Sequence, residues 1–190
     1  MHYEVEQKFP LTGREPLVTR LSSLGAAFLP PIAQVDSYFA HPSRDFAQTD
    51  EALWIRRVGE ANYVTYKGPK LDPLTKTRRE LELPIAGGET GFEQFAELLL
   101  ALGFRRVADV RKARTPGTLP WRQWQVELAL DEVQEVGLYL ELELSADESR
   151  LDEARAVLGE LTRELGLETT ERRSYLELLL RSQAGAGGLK

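Results

Sequence analysis

Polar and apolar residues alternate with a period of two along most of this chain, which is the mark of strands with one covered and one polar face. From Tyr3 to Phe9 one side carries Tyr3, Val5, Gln7 and Phe9, and the other carries Glu4, Glu6 and Lys8. Pro10 is expected to stop this strand. The same rhythm returns over Val35–Ala40, Leu53–Val58, Tyr63–Lys67, Arg78–Leu83, Ala108–Arg114, Trp124–Asp131 and Leu138–Leu144, with a hairpin turn across Gly59 to Asn62. The period lengthens over Pro16–Leu24, which has a proline at its start and Gly25 behind it, and over Thr90–Leu102, which is closed by Gly103. Leu151–Leu165 ends at Gly166, and Tyr175–Leu180 predicts a last short helix. Eight strands interrupted by four helices predict an α+β fold rather than a βαβ array.

The polar faces are richer in charge than solvent faces usually are. They repeat E-x-E, R-x-E-x-E and K-x-R instead of mixing threonine, serine and glutamine. Any single strand is compatible with an ordinary solvated face. Taken together, the phasing gathers Glu4, Glu6, Glu80, Glu82, Asp131, Glu141 and Glu143 with Lys8, Arg56, Lys67, Arg78, Lys112 and Arg114 on one surface. The opposite faces, such as Leu138, Leu140, Leu142 and Leu144, have helices available to cover them. If the sheet closes into an eight-stranded antiparallel β-barrel, the charges line a lumen wide enough for one small ligand, with the helices flanking outside. Such a lumen must be wet, paired, or both.

Composition narrows the chemistry. The chain of 190 residues has no cysteine and two histidines, His2 and His41, so thiol chemistry and cysteine-held zinc are excluded. Carboxylate ligands favour a hard ion, Mg²⁺ or Mn²⁺, and lysine and arginine suit phosphate oxygens. A net charge of −6 argues against a nucleic-acid partner, and no stretch predicts a membrane span or signal peptide. The expected location is cytoplasmic. One domain over 1–182 with a flexible Gly/Ala-rich tail over 183–190 is expected, and a homodimer is left open. Neither a G-x-x-x-x-G-K-[ST] loop nor a G-x-S-x-G elbow occurs, and His41 beside Pro42 reads as a loop residue.

In this order the charged strands resemble the CYTH family, the triphosphate tunnel enzymes that include class IV adenylyl cyclases and thiamine triphosphatase. The segments are Glu4-Val5-Glu6-Gln7-Lys8, Ala52-Leu53-Trp54-Ile55-Arg56-Arg57, Tyr66-Lys67-Gly68-Pro69, Arg78-x-Glu80-x-Glu82, Lys112-x-Arg114, Asp131-Glu132-Val133 and Gly137-x-Tyr139-x-Glu141-x-Glu143. The connector from Arg44 to Leu53, and Ser174-Tyr175-x-x-Leu178-Leu179, resemble the class IV cyclase-type branch most.

The resemblance implies a tunnel with metal ligation by Glu4, Glu6, Asp131, Glu141 and Glu143. It implies phosphate contacts from Lys8, Arg56, Lys67, Arg78, Lys112 and Arg114, with Lys8, Arg56 and Lys67 closest to catalysis. Glu80, Glu82, Trp54 and Lys76 are expected to line the tunnel. Many members carry arginine where this chain has Trp54. Lys70 or Lys76 then stands in for the missing cation, Trp54 stacks on a substrate base, or Trp54 simply packs at the tunnel mouth. The implied activity is conversion of ATP to cyclic AMP and pyrophosphate. The alternatives are hydrolysis of thiamine triphosphate, inorganic triphosphate or a nucleotide, and a non-catalytic module binding polyphosphate or nucleotide.

Overall fold

Nine strands form one antiparallel sheet: β1 (His2–Leu11), β2 (Ala27–Phe28), β3 (Ile32–Ala40), β4 (Ala52–Val58), β5 (Ala61–Lys67), β6 (Arg78–Ile85), β7 (Arg105–Trp121), β8 (Trp124–Val133) and β9 (Gly137–Asp147). The computed structural model describes residues 2–69 and 77–187. Lys70 and Lys76, the second expected to line the tunnel, lie outside the described residues. Eight of the strands close in the order β7-β3-β4-β5-β6-β1-β9-β8 and back to β7, and β2 pairs only with β7. The eight-stranded barrel is therefore present, with one additional strand.

Two boundaries differ from the expectation for the same reason. Strand β1 runs through Pro10, which sits opposite Tyr139 of β9. Its other neighbour, β6, pairs among the described residues with Tyr3 and Glu4 alone, so no described ladder on that edge asks Pro10 for a donor. Strand β7 continues past Arg114 through Pro116 and Pro120, because β3 leaves it at Ile32 opposite Arg114. Beyond that point β8 is its main partner, and a single ladder uses the N–H of alternate residues only. Two prolines four residues apart fit such an edge. Strand β2 then crosses β7 at Gly117, where a Cβ would stand 2.6 Å from the Phe28 ring.

Five α-helices surround the barrel: α1 (Glu15–Ser23), α2 (Phe46–Thr49), α3 (Gly88–Ala101), α4 (Leu151–Leu165) and α5 (Tyr175–Gly187). The short α2, inside the polar connector, is absent from the sequence expectation; Asp45 caps it by accepting the Ala47 N–H at 3.0 Å. The last helix extends beyond Leu180 to Gly187.

The apolar faces meet these helices outside the barrel. Val5, Phe9, Leu128, Leu140, Leu142 and Leu144 join Leu21 of α1 and Leu158 and Leu161 of α4 in the main core. Phe39 and Ile55 pack under Phe92 and Leu99 of α3. With Leu140, Leu142, Leu144 and Ala146 of β9 in that core, the odd residues between them are forced inward. Strand parity thus builds the site.

Candidate active site

The interior is a cavity of about 350 Å³ lined on all sides by ionisable groups. Glu4, Glu6, Asp36, Glu80, Glu82, Glu127, Glu141 and Glu143 face Lys8, Arg56, Lys67, Arg78, Lys112 and Arg114. Eight carboxyl groups thus share one wall with six cations. Of the described residues expected to line the lumen or act in it, all but Asp131 lie in this wall. Asp131 stands just behind it on β8, its carboxylate accepting from Arg114 Nε at 2.8 Å and from the Tyr175 hydroxyl at 2.9 Å.

Three ion-pair groups organise the wall. In the first, Lys67 donates to Glu4 at 2.6 Å and lies 2.6 Å from Glu80. Burial raises the Glu4 carboxyl, but the Lys67 charge and the hydrogen bonds with Glu80, Lys67 and Glu143 together outweigh it and hold the group well below the usual carboxylate range. Burial, followed by the hydrogen bond shared with Glu4, instead pushes Glu80 up to about 8. In the second, Arg56 grips Asp36 through two nitrogens while its third stands 3.7 Å from Glu82. In the third, Arg114 bridges Asp131 and Glu141. Lys112 links the last two, at 3.6 Å from Asp36 and 3.8 Å from Asp131. Burial, and after it Arg114, holds the Lys112 ammonium below the ordinary lysine range.

Arg78 is different. It is 8% exposed, and its Nε has no hydrogen-bond partner among the described residues.

Helix α5 contributes to the lumen, which the sequence expectation missed. Lys8 donates to the Arg173 carbonyl at 2.6 Å, just ahead of that helix, and its ammonium sits 4.0 Å from the Tyr175 ring centroid. Lys112 approaches the same ring at 5.2 Å. Tyr175, Leu178 and Leu179 pack with Tyr38, Trp54, Val110, Val133 and Tyr139, an apolar cluster on the lumen side. Trp54 is in this cluster and also lines the cavity, its ring 5.3 Å from that of Tyr38. Its Nε1 is buried without a partner among the described residues.

The donor set suits a hard divalent cation by its chemistry. Glu6 stands opposite Glu143 across β1 and β9, and Glu143 opposite Glu127 across β9 and β8, a row of oxygen donors alone. Burial, and then Glu4 and Glu6, keep the Glu143 carboxyl well above its usual range. Among the described residues no three such side chains stand in a ready-made cage, so a bound ion would have to draw them together.

An eight-stranded antiparallel tunnel with acids and bases interleaved inside is what a CYTH domain presents, and the model of that family matches residues 2–175. The chain belongs to the CYTH domain family. Over 178 residues it is 36% identical to a Methanocaldococcus jannaschii protein named "Putative adenylate cyclase MJ0240", covering 92% of this chain and 97% of that one. The solved structure of PH1819 from Pyrococcus horikoshii superposes with a TM-score of 0.79 at 38% identity, covering 94% of this chain and 98% of its own. HpAC1 from Hippeastrum, described with a dominant triphosphatase activity, shares the fold at a TM-score of 0.65 and 18% identity, over 95% and 96% of the two chains. Among the described residues no helix is long and apolar enough to cross a membrane.

Proposed function

We propose that this tunnel is the active site of a divalent-cation-dependent enzyme of triphosphates, and that its reaction is the closure of ATP to cyclic AMP and pyrophosphate. The observation that carries the reading is the donor set of the lumen. Six cations match the oxygens of a triphosphate, and eight carboxyl groups, of which burial and crowding push Glu80 and Glu143 toward the protonated form, supply the oxygen ligands a divalent ion entering with it would need. The carboxylates Glu4, Glu6 and Glu143 would hold such an ion, Mg²⁺ or Mn²⁺, once drawn together around it. Asp131 and Glu141 are reachable once Arg114 turns from them to a phosphate. When bound, the ion supplies charge neutralisation and polarisation of phosphoryl oxygens.

The chain's own groups then divide the work. Arg56, aimed by Asp36, and Arg78 grip phosphate oxygens, arginine by its paired donors. Lys8, Lys67 and Lys112 add point charges along the same wall, Lys8 opposite Glu141 and Lys67 beside Glu4 and Glu80. The ribose 3′-oxygen attacks the α-phosphorus, the bond to the bridging oxygen of pyrophosphate breaks, and the hydroxyl proton passes to solvent or a lumen carboxylate. Positively charged side chains already in place stabilise the departing pyrophosphate.

The name of the archaeal relative supports cyclisation. A second reading, hydrolysis, draws support from the activity described for HpAC1, since the same wall accepts water as the in-line nucleophile. Incubation with ATP, thiamine triphosphate and inorganic triphosphate under Mg²⁺ and Mn²⁺ decides. Cyclic AMP is the expected product, orthophosphate supports hydrolysis, and tight binding without turnover leaves a binding module.

A further inference from the structure

A second cavity, of about 540 Å³, lies against the tunnel and shares Tyr38, Ala52, Arg78 and Ser174 with it. Its size is that of a pocket for a small organic molecule. It is walled by the connector holding α2 on one side and by α5 on the other, and its lining is less polar than the lumen, with Phe46, Leu53, Val107, Leu176 and Leu180. We infer that this cavity receives the organic group of the triphosphate substrate, a ring-bearing moiety the size of a nucleoside, while the tunnel holds the phosphates. The inference rests on the proposed triphosphate reading and goes further, because inorganic triphosphate has nothing to place there.

Three observations meet at this wall. The Arg78 guanidinium, buried and with Nε unpartnered among the described residues, stands in the wall of both cavities, where a substrate's phosphate joins its organic part. Tyr38 also borders both, its ring 5.3 Å from that of Trp54 on the tunnel side. On the far side the His41 ring lies 5.5 Å from Phe46. The His41 Nδ1 accepts the N–H of Ser43 at 3.1 Å and of Arg44 at 3.0 Å, so the neutral ring carries its proton on Nε2. The cavity therefore offers the rings of Tyr38, His41 and Phe46 in its wall, with the Arg78 guanidinium where it meets the tunnel. Such a wall takes a planar ring with acceptor atoms.

The test fills the cavity and compares two ligands. Leu180 on α5 and Val107 on β7 both line this cavity and are 42% and 41% exposed, so tryptophan at either is compatible with the fold. Affinities of wild type, Leu180→Trp and Val107→Trp are measured by calorimetry for ATP and for inorganic triphosphate, both with Mg²⁺. Each variant is expected to weaken ATP by about tenfold and to change inorganic triphosphate by less than about twofold. Equal losses for both ligands, or no loss for ATP in variants whose melting curves match wild type, would overturn the inference. Wild type that binds neither ligand would instead sink the triphosphate reading itself. With two positions substituted, misfolding of one variant leaves the other to decide.

Discussion

Arg56 donates its Nε–H and Nη2–H to the two oxygens of Asp36, at 2.8 and 3.0 Å, directly across β3 and β4. The paired geometry fixes the plane of a guanidinium that would otherwise pivot on a long side chain. Asp36 is 1% exposed, so its charge is affordable only with that partner and with Lys112 behind it. It is a positioning residue for the tunnel. Asp36→Asn leaves two cations facing a neutral amide, and is expected to lower unfolding free energy by about 3 kcal/mol. Urea denaturation checks this. Wild-type stability in the variant would mean the pair contributes nothing.

The same carboxyl sets a pH dependence. Burial disfavours its charged form, but Lys112 and then Arg56 win and hold Asp36 below the usual range. A carboxyl lowered by folding stabilises fully above its unfolded pKa of about 3.9, and that contribution fades as pH falls through the lower folded value. The stability gap between wild type and Asp36→Asn should therefore stay constant from neutrality down to about pH 4, then shrink. A gap that narrows on going up in pH would give the pair the opposite sign.

How far the sequence could show this is clear from Asp36 itself. Repeats such as Glu4, Glu6 and Lys8, or Arg78, Glu80 and Glu82, mark a charged face because neighbours of the same parity agree. Asp36 shares its face only with Gln34 and Tyr38, so nothing in that strand's own pattern sets it apart. The charged partner that would have flagged it, Arg56, is 20 residues away in sequence. Closure of the barrel was legible, since eight alternating strands need an inside. The two-residue β2 and the late half of β7 were not, because two residues show no period and prolines normally argue against a strand. Trp54, for which the sequence left three roles open, is packed in the aromatic cluster and lines the lumen at once.

Helix α5 should be held by one hydroxyl more than by its leucines alone. The Tyr175 hydroxyl donates to Asp131 at 2.9 Å, while burial keeps that phenol from ionising. Tyr175→Phe keeps the ring under Lys8 and Lys112 but removes the donor, and is expected to cost about 1 kcal/mol. Hydrogen exchange on 175–187 should then accelerate more than exchange in α4. Uniform acceleration across both helices would show a global effect instead.

A lumen with carboxyl groups and cations in one wall should bind its cation and its anion together. Thermal unfolding is expected to shift upward strongly with Mg²⁺ and inorganic triphosphate together, and only slightly with either alone. Adding EDTA should abolish the joint shift. Glu6→Gln, which removes one charge opposite Glu143, should lose turnover while its circular dichroism stays unchanged. Full activity in that variant would remove Glu6 from the cation site.

Arg78 and Arg56 make opposite predictions although both line the same tunnel. Arg56 is committed to Asp36, so Arg56→Ala strands a buried carboxylate and should destabilise the ligand-free protein. Arg78 is buried with its Nε unpartnered among the described residues, so in the ligand-free protein it carries a cost its neighbours do not relieve. A phosphate reaching it gains a charge-assisted hydrogen bond without having to break an existing one. Arg78→Ala should therefore weaken triphosphate binding by about 2 kcal/mol while leaving the ligand-free melting temperature close to wild type. Calorimetric affinity and a melting curve on each variant separate the two. An Arg78→Ala protein that melts early yet binds triphosphate normally would make Arg78 a structural residue and take it out of the site.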